Sequence, residues 1–257
     1  MRLKLGKLPA SPHSSDFEFK AYRTTDLPVV PDKFGFDHAV ATGGWGMLGN
    51  GDYGDCVWAG AAHEHMLLTA VQSSERPSPT TAAFTDTGVL SDYAAVTGFD
   101  LLTGAGDNGT NVHDAMAYRR STGILDAAGE RHKIGAYLSL EPGNMVEVFE
   151  ALYLFGAVGI GFEFPNTAMD QFNARQRWKI VAGATVEGGH YVPVVSKQGT
   201  FSVKVVTWGR LQTMTQPFYK KYCDEAWAYV APDQLDDHGL SARGFDVAAL
   251  NADLSAL

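Results

Sequence analysis

The chain has 257 residues, 45% of them hydrophobic, and sets 20 Lys and Arg against 29 Asp and Glu for a net charge of -9. Such length and apolar content are enough to bury a core as one large domain or two packed lobes, which excludes a disordered polyelectrolyte, and the acidity excludes a body built to bind nucleic acid. Two cysteines exclude a disulfide framework, so the fold is expected to tolerate a reducing compartment.

Residues 1–36 hold Pro9, Pro12, Pro28 and Pro31 among polar residues and read as an extended arm laid over the body, with no helix. The arm carries Arg2, Lys4, Lys7, Lys20 and Arg23 against Asp16 and Glu18, so the remainder of the chain is strongly acidic. A basic arm of this kind is solvated, docked, or laid on an acidic partner surface.

The body, residues 37–232, begins its regular structure at Asp55. From there to Gln72 the sequence is apolar nearly all the way round (Val57, Trp58, Ala61, Met66, Leu67), as in a helix buried inside a domain, with Asp55 as its N-cap. Ser74 to Thr87 reads as a Ser/Thr/Pro-rich loop and Gly104 to Gly109 as a second loop, leading into a helix over Asn111–Thr122 that Gly123 ends. A further helix starts at Asn144, with Glu147 placed as in a capping box and Val148, Phe149, Leu152 and Phe155 as its apolar face.

After Gly156 the pattern shifts to β-rich runs at Ala157–Phe164, His190–Ser196, Phe201–Trp208 and Ala226–Ala231. Helices first and strands later predict an α+β chain, divided into a helical lobe over about 37–140 and a β lobe over about 141–232. Residues 233–257 form an acidic tail with a short helix near Val247–Leu254.

Cys56 opens the buried helix behind a Gly-Asp turn, where a helix N-terminus favours a thiolate. His190, in Gly188-Gly189-His190-Tyr191, is the imidazole that could take and return a proton. The Cys56 backbone N–H and the Asn50 side-chain amide could hold an oxyanion, so these residues together supply a nucleophile, a base and donors.

These stretches resemble the papain-like cysteine peptidase superfamily over roughly residues 26–232. Asn50–Ala59 is similar to the family's Gln-Gly-x-Cys-Gly-Ser-Cys-Trp-Ala block, with Asn50 at the oxyanion glutamine and Cys56 at the nucleophile. Asn111–Tyr118 with Thr122-Gly123-Ile124 resembles the second helix and its following Gly-Ile, and Ala157–Ile160 resembles the Pro-Val-Ser-Val strand. Gly189–Val194 resembles the His-Ala-Val strand, and Thr207-Trp208-Gly209 the Ser-Trp-Gly that follows the third catalytic residue.

The resemblance implies a two-lobed papain-like fold, a helical lobe with a central nucleophile-bearing helix followed by a β-barrel-like lobe. It also implies a thiol hydrolase that cleaves a peptide or related amide bond of a peptide or protein substrate, through an acyl-enzyme on Cys56 with His190 as base. Acyl transfer to an amine uses the same groups. Val206 stands where the family places the Asn that orients the imidazole, and Thr207 is the nearest substitute. Val57 replaces the Trp after the nucleophile, Asn50 is one methylene shorter than Gln, Tyr53 stands at a disulfide position, and Asp52 and Asp55 add negative charge near the sulfur.

Those departures support an alternative: a catalytically silent papain-like component of a larger assembly, contacted by the arm. Lys4-Leu5-Gly6-Lys7 and Trp45-Gly46-Met47-Leu48-Gly49 resemble papain-like proteins of actinobacterial phages and prophages, so the assembly could be a phage particle. No helical pro-segment is expected to shield the site. No cofactor or metal is expected: His63 and His65, two apart on a helix, face different ways, and Gly104, Gly106 and Gly109 flank no basic residue. Trp58, Trp178, Trp208 and Trp227 read as core or cleft-wall aromatics. No run approaches the roughly 20 apolar residues of a membrane span and no signal peptide is apparent, so a cytoplasmic or virion-associated protein is expected.

Overall fold

A computed structural model describes residues 3–11, 13, 16–37, 40, 44–73, 82–235 and 244–256. The arm holds one helical turn, α1 (Phe19–Tyr22), and a short strand, β1 (Lys33–Gly35). This corrects the expectation of an arm without a helix. Phe19 and Tyr22 fall on one side of that turn and both are buried, so tertiary packing holds a turn that propensity alone would not.

The buried helix is α2 (Cys56–Ser73). Trp58 and Ala59 donate their N–H groups to the Asp55 carbonyl, whereas the Asp55 carboxylate accepts the Asn50 amide, so its side chain does not cap the helix as expected. The Ser74–Thr87 loop lies outside the described residues up to Thr81 and then gives way to α3 (Asp86–Thr97), capped by the Thr85 hydroxyl. Next come α4 (Val112–Ser121) with Asn111 as its N-cap, and the β2 (Ile124–Leu125) and β3 (Arg131–His132) ribbon. After β4 (Ala136–Leu140), α5 (Met145–Phe155) starts on the Asn144 side chain and stops at Gly156, which takes the left-handed conformation. Glu147 reaches back to the Glu141 N–H rather than to Asn144, so the capping box is not reciprocal.

Strands β5 (Val158–Pro165), β6 (Val186–Gln198), β7 (Ser202–Thr207), β8 (Arg210–Thr215) and β9 (Cys223–Val230) complete the sheet, with α6 (Asn166–Asn173) and α7 (Gln216–Tyr222) between them and α8 (Val247–Ser255) in the tail. The strand order is β4-β9-β5-β6-β7-β8, with β1 on β6 and every named pairing antiparallel. The sheet stays open and does not close into a barrel. The result is an α+β protein, a helical lobe against a twisted antiparallel sheet.

The sheet separates two cores. On one face α5 packs with the even positions of β5, where Val158, Ile160, Phe162 and Phe164 are all buried. On the other lies α2, whose Cys56, Trp58, Ala59 and Ala62 pack with Tyr191, Val206 and Tyr229. A buried cluster bolts the helices to the sheet: Arg119 Nη1 lies 2.7 Å from Glu64 Oε2, Tyr191 donates to Glu64 Oε1 at 2.7 Å, and the Arg119 guanidinium sits 4.1 Å from the centre of the Tyr229 ring. Removing Arg119 or Glu64 alone would leave an uncompensated buried charge, which typically costs about 3–5 kcal/mol. Among the described residues no helix is long and apolar enough to cross a membrane.

Candidate active site

Cys56 begins α2 and is 1% exposed. The backbone N–H groups of Tyr191 and Gly6 face its sulfur and favour the thiolate, but burial dominates, Asp55 adds to it, and the thiol pKa is pushed up to about 12. His190 sits on β6 next to Tyr191, so the sulfur and the imidazole meet the same short stretch of that strand. Nε2 of His190 lies 2.7 Å from the Thr207 Oγ1, while among the described residues Nδ1 has no hydrogen-bond partner. Trp208 stacks on the ring, with centroids 4.3 Å apart at 14°, and Phe162 and Phe164 meet it edge-on. Burial in this aromatic box lowers the imidazole pKa to about 3.

Thr207 thus holds the ring where Val206, buried against α2, has nothing to offer it. Asn50 is 3% exposed, and its amide donates to Asp55 Oδ1 at 3.3 Å. Asp55 is fully buried, its Oδ2 lacks a partner among the described residues, and burial raises its pKa well above that of an ordinary carboxylate. No hydrogen bond joins the Cys56 sulfur to the His190 ring among the described residues. The structure therefore collects Cys56, Asn50 and Asp55 at the head of α2, whereas the His190 ring lies with Thr207, Trp208, Phe162 and Phe164 toward the α5-side core, and the predicted pair is not joined in this state.

Over the Cys56 sulfur runs a segment that reads in the sequence only as a surface arm. Lys7 donates its N–H to Gly189 O at 3.1 Å, Thr110 donates to Gly6 O at 2.8 Å, and Leu8 donates to Thr110 O at 3.0 Å. This strap is extended and bridges the helical side to the sheet over the sulfur. Its fit depends on glycines, because a Cβ on Gly6 would overlap the Gly54 carbonyl, and one on Gly109 or Gly189 would overlap strap carbonyls. Trp208, which stacks on His190, also donates its Nε1–H to Lys4 O at 3.3 Å, and Trp58 Nε1 holds Thr110 Oγ1 at 3.0 Å. Cys56 is covered after all, by an extended strand rather than a helix.

Burial keeps both candidate groups neutral: a thiol with a raised pKa and an imidazole with a lowered one cannot form an ion pair. Of the residues weighed as metal ligands, His63 Nε2 is 2.8 Å from Trp45 O and His65 Nε2 has no partner among the described residues, so the two do not converge. Asp126, Glu130 and His132 do bring ligand atoms within 4.8 Å, but Asp126 Oδ2 is already 2.9 Å from His132.

No family model matches the chain, and no curated protein matches it in sequence. Its structure is similar to that of xylellain, a cysteine protease from Xylella fastidiosa, with a TM-score of 0.65 over 90% of this chain and 98% of that one at 14% identity. The ragweed pollen cysteine protease Amb a 11 in its proform matches with a TM-score of 0.60 over 90% of this chain and 68% of that one at 15% identity. A procathepsin B of Trypanosoma congolense matches at 0.57 over 87% and 86%, with 13% identity. The chain has the papain-like fold.

Proposed function

We propose that this protein is a papain-like thiol hydrolase acting on a peptide or related amide bond, with Cys56 as nucleophile and His190 as base, held closed by its own N-terminal strap. The observation that carries the reading is the state of the imidazole: Nε2 is committed to the Thr207 hydroxyl, and among the described residues Nδ1 has no partner. An imidazole that only filled a core would gain from satisfying both nitrogens. When the strap leaves, water reaches both groups, the thiol pKa falls and the imidazole pKa rises, and the ion pair needed for attack becomes accessible. In the reaction the sulfur adds to the carbonyl carbon, His190 passes the proton to the departing amine, and water then releases the acyl group. The Cys56 N–H and the Asn50 amide, once turned from Asp55, serve as the oxyanion donors.

A second reading, a silent scaffold in a larger assembly, is favoured by the unpartnered Asp55 carboxyl oxygen beside the thiol. The two separate in one experiment. The full-length Gly6→Ala protein, in which the strap cannot seat, is assayed on a fluorogenic peptide mixture beside Gly6→Ala/Cys56→Ala. Turnover present in the first and absent in the second supports the hydrolase; no turnover in either, with Cys56 exposed to alkylation, rejects it and leaves the scaffold.

A further inference from the structure

Lys7 is a buried cation in an acidic chain, and the slot that receives it belongs to the body. Its ammonium lies 2.7 Å from Asp224 Oδ2 and 2.9 Å from Glu225 Oε1, donates to Leu8 O at 3.0 Å, and its side chain is 0% exposed. Gly161 clears a path for the methylenes, since a Cβ there would overlap Lys7 Cε. Trp227 Nε1 donates to Glu225 Oε2 at 3.0 Å and fixes that carboxylate in place. Beyond the pair opens a cavity of about 780 Å³ whose lining carries Asp16, Glu18, Glu141 and Glu147, with Lys20 and His13 as its basic members.

Glu225 is nearly buried and Asp224 beside it is a quarter exposed, so the pair favours a counter-ion, and a cleft without its strap leaves it without one. The strap supplies that cation from an extended backbone paired at Gly189 and Thr110 on either side of the slot, beside the Cys56 sulfur. Another extended polypeptide taking the same path would meet the same backbone partners and the same acidic slot.

We propose that the slot formed by Gly161, Asp224 and Glu225 selects a lysine or arginine side chain of a substrate polypeptide, and that Lys7 fills it in the closed state as a stand-in. The inference rests on the thiol-hydrolase reading for what happens to the bound chain, and on the slot alone for what is bound.

Binding and cleavage are therefore measured separately, on full-length chains. In the Cys56→Ala/Lys7→Met protein, labelled Leu-Gly-Lys-Leu and Leu-Gly-Arg-Leu peptides are compared with Leu-Gly-Met-Leu and Leu-Gly-Glu-Leu by fluorescence anisotropy. The basic peptides are expected to bind at least about tenfold more tightly, and adding Glu225→Gln is expected to erase most of that preference. Equal affinities, or a preference untouched by Glu225→Gln, overturn the proposal. Should Lys7→Met fail to fold, the same peptides are tested as competitors of the strap in Gly6→Ala/Cys56→Ala, where basic peptides must again win. In the Lys7→Met protein with Cys56 intact, cleavage of a peptide library without enrichment of Lys or Arg rejects the slot but keeps the hydrolase. Basic-selective binding without cleavage rejects the hydrolase but keeps the slot.

Discussion

His190 and Thr207 are joined side chain to side chain, Nε2 to Oγ1 at 2.7 Å, across neighbouring strands β6 and β7. The hydroxyl sits one position beyond the residue the family comparison pointed to, and it can donate to or accept from the ring. Thr207→Val keeps the β-branched shape and removes only that contact. In the strap-released Gly6→Ala background it is expected to lower kcat by about 10- to 100-fold with little change in KM, and Thr207→Ser to restore most of the loss. Equal kcat values with and without the Thr207→Val substitution would reject a positioning role.

The strap makes a prediction about the thiol that needs no substrate. In the wild-type protein both cysteines are held as neutral thiols, since burial pushes Cys56 and Cys223 each up to about 12. Alkylation at pH 8, followed by peptide mapping, should be slow at both. Gly6→Ala places a methyl group against the Gly54 carbonyl, displaces the strap, and should raise the Cys56 rate by at least about tenfold while leaving Cys223 unchanged. A rise at both cysteines would mean general loosening, and no rise would mean that the strap does not shield the sulfur.

How much of this was readable in advance follows the range of the interactions. The all-round apolar run after Asp55 marked α2 because that helix lies between other elements on every side, so its composition alone reports its place. The Cys56 and His190 motifs were legible as local patterns. Lys7 was not, because its partner Asp224 lies 217 positions away and nothing around Lys4-Leu5-Gly6-Lys7 distinguishes a seated strand from a solvated arm. Strand β8 hid behind Arg210, Gln212 and Thr213, polar residues on a half-buried strand, and α3 behind the Ser/Thr/Pro run that ends at its own cap, Thr85. Thr207 was visible only as the neighbour of a valine that could not do the work.

Acid sensitivity follows from the buried imidazoles. Burial lowers His63 from 6.5 to about 4 and His190 to about 3, and takes His65 well below 6.5 in the same direction. Below pH 6.5 the unfolded chain takes up protons that the folded one refuses, so stability is full above that pH and is lost on acidification through the window down to the folded values. His63 alone should cost roughly 2 kcal/mol between pH 7 and pH 5. Glu64 and Asp55 shift upward and act in the opposite sense, so the readout is the difference between wild type and His63→Gln, which keeps a donor for Trp45 O. Urea denaturation should show a loss between pH 7 and pH 5 that is smaller in the variant by roughly 2 kcal/mol, the share of His63, with the remaining imidazoles unchanged; equal losses in both proteins would reject the assignment.

Asp55 raises the last expectation, because it places a carboxyl group next to the nucleophile with one oxygen unpartnered among the described residues. Burial raises its pKa well above 3.8, although the Asn50 amide pulls the other way. An acid of this kind contributes its stability below pH 3.8 and loses it as the pH climbs through the folded value, when the buried group must ionise or stay protonated at a cost. Asp55→Asn preserves the shape and the oxygen that accepts from Asn50. It should therefore match wild type in stability near pH 3.5 and exceed it by about 1–2 kcal/mol at pH 7, as measured by urea denaturation. In the Gly6→Ala background the same change removes a negative charge beside the sulfur, so the pH at which Cys56 reaches half its maximal alkylation rate should move down. A thiol that titrates at the same pH in both proteins would show that Asp55 is already neutral there, and the penalty for thiolate formation would then lie wholly in burial.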